Sequence, residues 1–334
     1  YNIKLINKHF YKLIDKNLYL PDHFWLQFSY LFSCDHIKYH LTIKEKLCIT
    51  NGRISSYKYN YNRQSYNYFK IKTDSKIHYY KSNWNNMAHQ KKSIVIPEFF
   101  TMICTGAFIL YTNLISVKIP NSITEIGNGA FIECINLISV ELPKYITEIK
   151  DDVFHECISL ESVIIPKSVT KIGKNAFSYC SSLKLIELPN SLTDIGDSAF
   201  EYCKAIKNII IPEGVTKISD STFRNCESLD HIVLPNSVKE IGKSAFSGCI
   251  SLKTIKLPDS VTNIGVYCFS LCKNLKYIDI PKSVTSIGDH SFSNCISLTS
   301  VKFPNSVEEI KSSTFRECIS LKEIIIPESV KNIG

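Results

Sequence analysis

Nine cysteines stand at positions 134, 157, 180, 203, 226, 249, 272, 295 and 318, a constant 23 residues apart. Thiols in such a series are candidate metal ligands, nucleophiles, disulfide partners or packing groups. If equivalent residues of successive units stack, they lie about 4.8 Å apart, the spacing of neighbouring strands. Zinc needs four ligands converging on one point, and a straight column does not converge. A catalytic thiolate needs partial exposure and a basic neighbour. Here each cysteine instead follows a phenylalanine by three residues, as in SVTKIGKNAFSYC at 168–180. Neighbouring Cα atoms would be within disulfide reach, but parallel side-chain vectors oppose bridging. The column is therefore expected to be packing, with each thiol acting as a small hydrophobe.

Other residues that could do chemistry are few. Cys34, His36 and His40 cluster in CDHIKYH, with Cys48 beyond. The two histidines would share one helical face, yet the spacing is not a standard zinc pattern, and no metal site is expected. Within the repeats His155, His231 and His290 each occupy a different turn position. Serines and aspartates follow the repeat beat, so any apparent triad is a by-product of periodicity. The glycines form no phosphate-binding loop. The expected reading is a non-catalytic protein without a cofactor.

The elements that carry these residues divide by composition. Of 334 residues, 44% are hydrophobic and 21% charged, which are globular values. Residues 1–92 hold 16 Lys and Arg against 5 acids, whereas 93–334 hold 23 against 26. Twelve of the 18 tyrosines also fall in the first segment, so a boundary is placed near Ser93. No apolar run is long enough for a transmembrane helix. Residues 18–34 lack the basic start and cleavage site of a secretion signal. The chain opens on Tyr1 and closes at Gly334 partway through a repeat, so a piece of a longer protein is expected.

Eleven prolines, from Pro97 to Pro327, recur every 23 residues without an insertion. A fixed period of this size marks a solenoid, whose units bury their apolar faces only by stacking. Ten phenylalanines, Phe108 to Phe315, keep the same beat, as do the isoleucines from Ile103 to Ile333. In the unit at 183–203, Leu183, Ile186 and Leu188 follow the L-x-x-L-x-L pattern of one short strand, and Pro189 ends it. Ser191 is expected to cap neighbouring backbone amides. On the return side Leu192 and Ile195 point inward and the chain turns at Gly196. The spacing of Ala199, Phe200 and Cys203 suits one helical or 3₁₀ turn.

The unit I-P-x-S-V-T-x-I-G-x-x-A-F-x-x-C-x-S-L-x-x-I resembles the 23-residue repeat of the BspA-like leucine-rich-repeat proteins of bacteria and parasitic protists. Departures are mild: Lys150, Ser219 and Lys311 replace the glycine, and Tyr145 and Gly214 replace the serine. The resemblance covers roughly 97–334. It implies a leucine-rich-repeat solenoid, a curved right-handed array with one short parallel strand and a 3₁₀ or helical turn per repeat. About ten turns would span roughly 50 Å at the strand spacing. It also implies a non-catalytic protein-binding module, associated in that group with cell surfaces and adhesion.

In such an array the outward strand residues form the usual binding surface. The central turns vary most there, and Leu185, Glu187, Asn208, Ile210, His231, Val233, Lys256, Tyr277 and Asp279 are the binding candidates. An apolar centre with a charged surround suits a protein partner, although strands favour β-branched residues on any account. The partner's identity and the oligomeric state are not legible. The chain holds no N-x-Ser/Thr sequon and many free-looking thiols, which suits a reducing compartment. Cell surface and cytoplasm both stay open, and with them adhesion and an intracellular scaffold. The basic stretch YKYNYNRQSYNYF at 57–69 suggests strands, as in a hairpin over the open end of the solenoid. Nucleic-acid binding through that segment is the weaker alternative.

Overall fold

The computed structural model describes residues 92–96, 98 and 100–334, and the backbone of three strands before them. Cys34, His36 and His40 lie outside the described residues, as does most of the tyrosine-rich stretch at 57–69. The chain from Ser93 winds as a parallel β-solenoid of about ten turns. Strands on consecutive turns pair 23 residues apart, as in Ser162↔Leu185 and Asn208↔His231. Proline follows each outward–inward–outward triplet and withholds the amide that would extend the strand.

Two strand columns run along the array where the sequence pattern foretold one. The first comprises the triplets: five strands from Ser93–Val95 to Leu185–Ile186, then two pairs at Asn208–Ile210 with His231–Val233 and Tyr277–Asp279 with Ser300–Lys302. Their central residues are buried and their flanks face outward. Residues 254–256 hold the same place without strand pairing, and Glu187 lies just beyond its strand. The second column consists of two-residue strands such as Lys171–Ile172 and Asp194–Ile195, whose isoleucines supply the other inner wall.

The expected 3₁₀ or helical turn is absent among the described residues. Each turn instead carries two left-handed residues four apart, for example Asn175 (φ 52°) and Tyr179 (φ 62°). A right-handed helix needs negative φ throughout, so this alternation excludes it. Amides then divide their bonds. Asn175, Phe177 and Tyr179 donate to Asp197, Ala199 and Glu201 of the next turn, at 3.0, 2.8 and 2.7 Å. Ala176, Ser178 and Cys180 donate three residues back within their own turn. The cross-turn bonds offset the cost of left-handed backbone at residues other than glycine.

The core is a set of columns. Ten phenylalanine rings from Phe108 to Phe315 stack face to face, with centroids 5.0–5.7 Å apart and planes within 12°. This column runs unbroken beneath the interruptions of the outer strands, Phe177 and Phe200 being 5.5 Å apart below the seam between Leu185–Ile186 and Asn208–Ile210. Ser191 does not cap amides. Its hydroxyl donates to the Val169 carbonyl of the preceding turn at 2.6 Å, as Ser237 does to Val215. The reason is that the cross-turn ladder leaves carbonyls, not amides, in reach. Gly196 is needed for close approach: a Cβ there would stand 2.7 Å from the Gly173 backbone.

Before Ser93, Cys48–Ile49 pairs in parallel with Met102–Ile103 and adds a strand to the second column. Asn67–Lys72 and Ile77–Ser82 form an antiparallel hairpin, later in the chain than most of the stretch that suggested one.

Candidate functional site: the outward strand face

Every ladder cysteine is free and buried. Each thiol also makes a contact that composition and spacing did not reveal. Cys180 Sγ donates to the Phe154 carbonyl at 3.1 Å, and all nine ladder members repeat this bond to the phenylalanine 26 residues earlier. Burial pushes these thiols well above their ordinary range, so they stay protonated and serve as donors. Cys104, in the glycine position of the first turn, is disulfide-bonded and stands apart from the column.

Among the described residues no group of three or more His, Cys, Asp or Glu is placed to hold a metal. The repeat histidines are scattered. His231 faces outward opposite Asn208 on the strand face. His155 contacts Glu156 at 3.3 Å and meets the Tyr179 ring edge-on. His290 stacks on Tyr267 with centroids 4.6 Å apart.

All nine binding candidates are exposed, and the strand register sets them on one face. Leu185 is 71% exposed and Ile210 is 68% exposed, with Val233 directly opposite Ile210 on the next strand. Ile164, 65% exposed, adds to this apolar group one turn ahead of the central turns that supplied the candidates. Beyond the unpaired turn that carries Lys256, Tyr277 and Asp279 pair in register with Ser300 and Lys302 of the following turn. Around them lies a depression of about 490 Å³, floored by the inward Ile278 and Val301. The turn side carries a second aromatic group that periodicity masked: Tyr179 and Tyr202 stack at 4.5 Å, with Lys204 Nζ 6.0 Å from the Tyr202 ring.

Chemically, the strand face offers shape, apolar area and charge. Leucine-rich-repeat solenoids are typically non-catalytic scaffolds. Among the described residues no helix is long and apolar enough to cross a membrane.

The chain is similar to several solved bacterial proteins. One is a leucine-rich repeat protein from Bacteroides ovatus, 26% identical over 83% of this chain and 91% of that one, with a TM-score of 0.50. A Treponema pallidum leucine-rich repeat protein is 34% identical over 49% of this chain and 78% of its own, with a TM-score of 0.47. The pneumococcal vaccine antigen PcpA is 21% identical over 72% of this chain and 74% of its own, with a TM-score of 0.52, a likeness of fold. No curated protein matches. The model of the BspA type leucine-rich repeat region matches in six copies over residues 101–230 and 216–334. With the 23-residue stacking, the paired strand columns and that match over most of its length, this chain belongs to the BspA type leucine-rich repeat family.

Proposed function

We propose that residues 93–334 form a protein-binding module whose recognition surface is the outward strand face. Its apolar centre is Leu185, Ile210 and Val233, within a polar surround of Glu187, Asn208, His231, Lys256, Tyr277 and Asp279. The observation that carries this reading is the exposure of Leu185 at 71% beside Ile210 at 68%. Strand propensity accounts for isoleucine and valine at such places, but not for leucine. Turns to either side put Ser162 and Asn208 where Leu185 would fall, so the backbone does not require an apolar group there. An apolar centre ringed by polar residues is the anatomy of a protein interface.

Adhesion at a cell surface is the form of this function that the family resemblance supports. An intracellular scaffold is the second reading: the ten free thiols among the described residues suit it, while the disulfide at Cys104 weighs toward the surface. Labelling intact source cells with an impermeant biotin reagent separates them: labelled protein supports adhesion, and protection alongside labelled surface proteins supports the scaffold. The site itself is tested by immobilising the full chain and a Leu185→Asp, Ile210→Asp variant of equal thermal stability. A partner held by the first and released by the second is the expected result. Equal retention by both would move recognition off this face.

A further inference from the structure

Charge is not spread evenly along the solenoid. Residues 93–249 hold 13 Lys and Arg against 18 acids, while residues 250–302 hold 6 lysines against 3 aspartates and no glutamate. The difference shows in ion pairing. In the earlier turns six of the 13 Lys and Arg are met by acids, Lys171 by Asp194, Lys184 by Glu161, Lys204 by Glu227 and Lys217 by Glu240 among them, whereas none of the six lysines at 250–302 is met by an acid among the described residues. Lys253, Lys256, Lys276 and Lys302 are all exposed, and among the described residues none of the four takes part in an ion pair.

These four lie on the strand face. Lys256 and Lys302 are outward residues of the same column two turns apart, with Asp279 on the turn between them. Lys253 and Lys276 sit on adjacent turns just ahead of the strand positions, the Lys276 amide bonding to the Lys253 carbonyl at 3.0 Å. Like charges side by side on stacked turns repel. The nearby acids, Asp230, Asp259 and Asp279, are exposed and leave that repulsion unrelieved by contact. The strip reaches the depression through Lys302, whose neighbours in its lining are Tyr277, Asp279, Ser300, Phe303 and Ile325.

We propose that this end of the strand face docks an acidic polypeptide segment, its carboxylates set against Lys253, Lys256, Lys276 and Lys302 and an aromatic or aliphatic side chain seated beside Tyr277. This deepens the protein-binding reading and rests on it. Charge complementarity selects the occupant: four unpaired ammonium groups call for anions, and the depression calls for an apolar side chain that a bare polyanion lacks. Outward residues one turn apart are about 4.8 Å distant, so neighbouring carboxylates of an extended segment can be engaged together.

The test is fluorescence anisotropy of the full chain with labelled poly-glutamate, a random glutamate–tyrosine copolymer and heparin. The copolymer is expected to bind best, with an affinity that falls as salt rises. Reversing Lys253, Lys256, Lys276 and Lys302 to Glu is expected to weaken it by at least about tenfold. The control reverses the ion-paired Lys171, Lys204, Lys217 and Lys331, the same change in net charge away from the strip. It should retain binding within about twofold, since exposed pairs contribute little. Equal losses in both variants would assign binding to overall charge and overturn the proposal, as would no binding to either polypeptide. Heparin bound more tightly than the copolymer would overturn it in favour of a sulfated polysaccharide. Leu185→Asp, Ile210→Asp separates the two readings. Copolymer binding kept in that variant while partner capture is also kept would sink the apolar centre and leave the strip standing.

Discussion

The thiol of Cys226 donates to the carbonyl of Phe200 at 3.2 Å, and that carbonyl also accepts the Cys203 amide at 3.1 Å. One buried oxygen thus joins its own turn to the next. A polar oxygen placed at the centre of an apolar core would otherwise be left half satisfied, and the cysteine supplies the second donor without adding a strongly hydrated group. Cys226→Ala removes that donor and opens a small void. It is expected to destabilise the array by about 1–3 kcal/mol, read as a lower denaturant midpoint. Cys226→Val, which fills the void and lacks the donor, should recover part of the loss. Full recovery would show that volume alone matters.

Burial sets the pH behaviour of the same column. The interior thiols are held well above the ordinary value of 9.0, and Cys318, near the end of the array, is pushed up to about 11. A group whose proton is held more tightly in the folded state stabilises that state fully below its unfolded value. This contribution is lost as pH rises through the folded value. Stability is therefore expected to decline from about pH 9 upward, with the Cys318 share exhausted near pH 11 and the interior thiols still losing beyond it. Among the nine ladder cysteines, a thiol reagent added to native protein should modify Cys318 first. Rapid reaction of Cys180 or Cys203 at neutral pH would contradict the buried column.

The serine column gives a smaller and separable effect. Ser260 Oγ donates to the Val238 carbonyl at 2.6 Å, and Ser283 and Ser306 repeat the bond on later turns. Each is half-buried, and Gly214 interrupts the series without breaking the fold. Ser260→Ala should cost about 0.5–1.5 kcal/mol by chemical denaturation. Ser260→Ala combined with Cys318→Ala, at columns and turns that share no partner, should be additive within about 0.5 kcal/mol.

Much of this was legible from residue spacing. The period fixed the stacking register, and the phenylalanine three residues before each cysteine was enough to read that column as core. All nine outward candidates are indeed exposed, because strand alternation is a local rule that stacking preserves. The turn geometry was not legible. Tyr179, Tyr202 and Leu271 adopt φ near +60° without being glycine or asparagine, so the spacing of Ala199, Phe200 and Cys203 mimicked a helical turn. The serine's role was misassigned for a related reason: a hydroxyl either donates or accepts, and only the stacked backbone shows which partner is in reach. Charge pairing was hidden as well. Lys217 has Glu240 one turn on and pairs with it at 3.7 Å. Lys253, with Asp230 one turn before and Lys276 one turn after, takes part in no ion pair among the described residues, so register alone does not decide pairing.

Coupling between turns is the property on which the whole reading of the solenoid depends. Phe223 stacks on Phe200 at 5.5 Å and on Phe246 at 5.7 Å, and its ring is fully buried. Phe223→Ala opens a large cavity that its two neighbours share, at a cost of about 3–5 kcal/mol. In a quasi-one-dimensional array each turn touches only its neighbours, so the loss should stay near its origin. Hydrogen exchange is expected to show lost protection in amides of residues 195–249, with residues 123–160 close to wild type. If protection instead fell evenly from one end to the other, the phenylalanine column would be acting as one cooperative unit, and the nearest-neighbour description of this array would have to be abandoned.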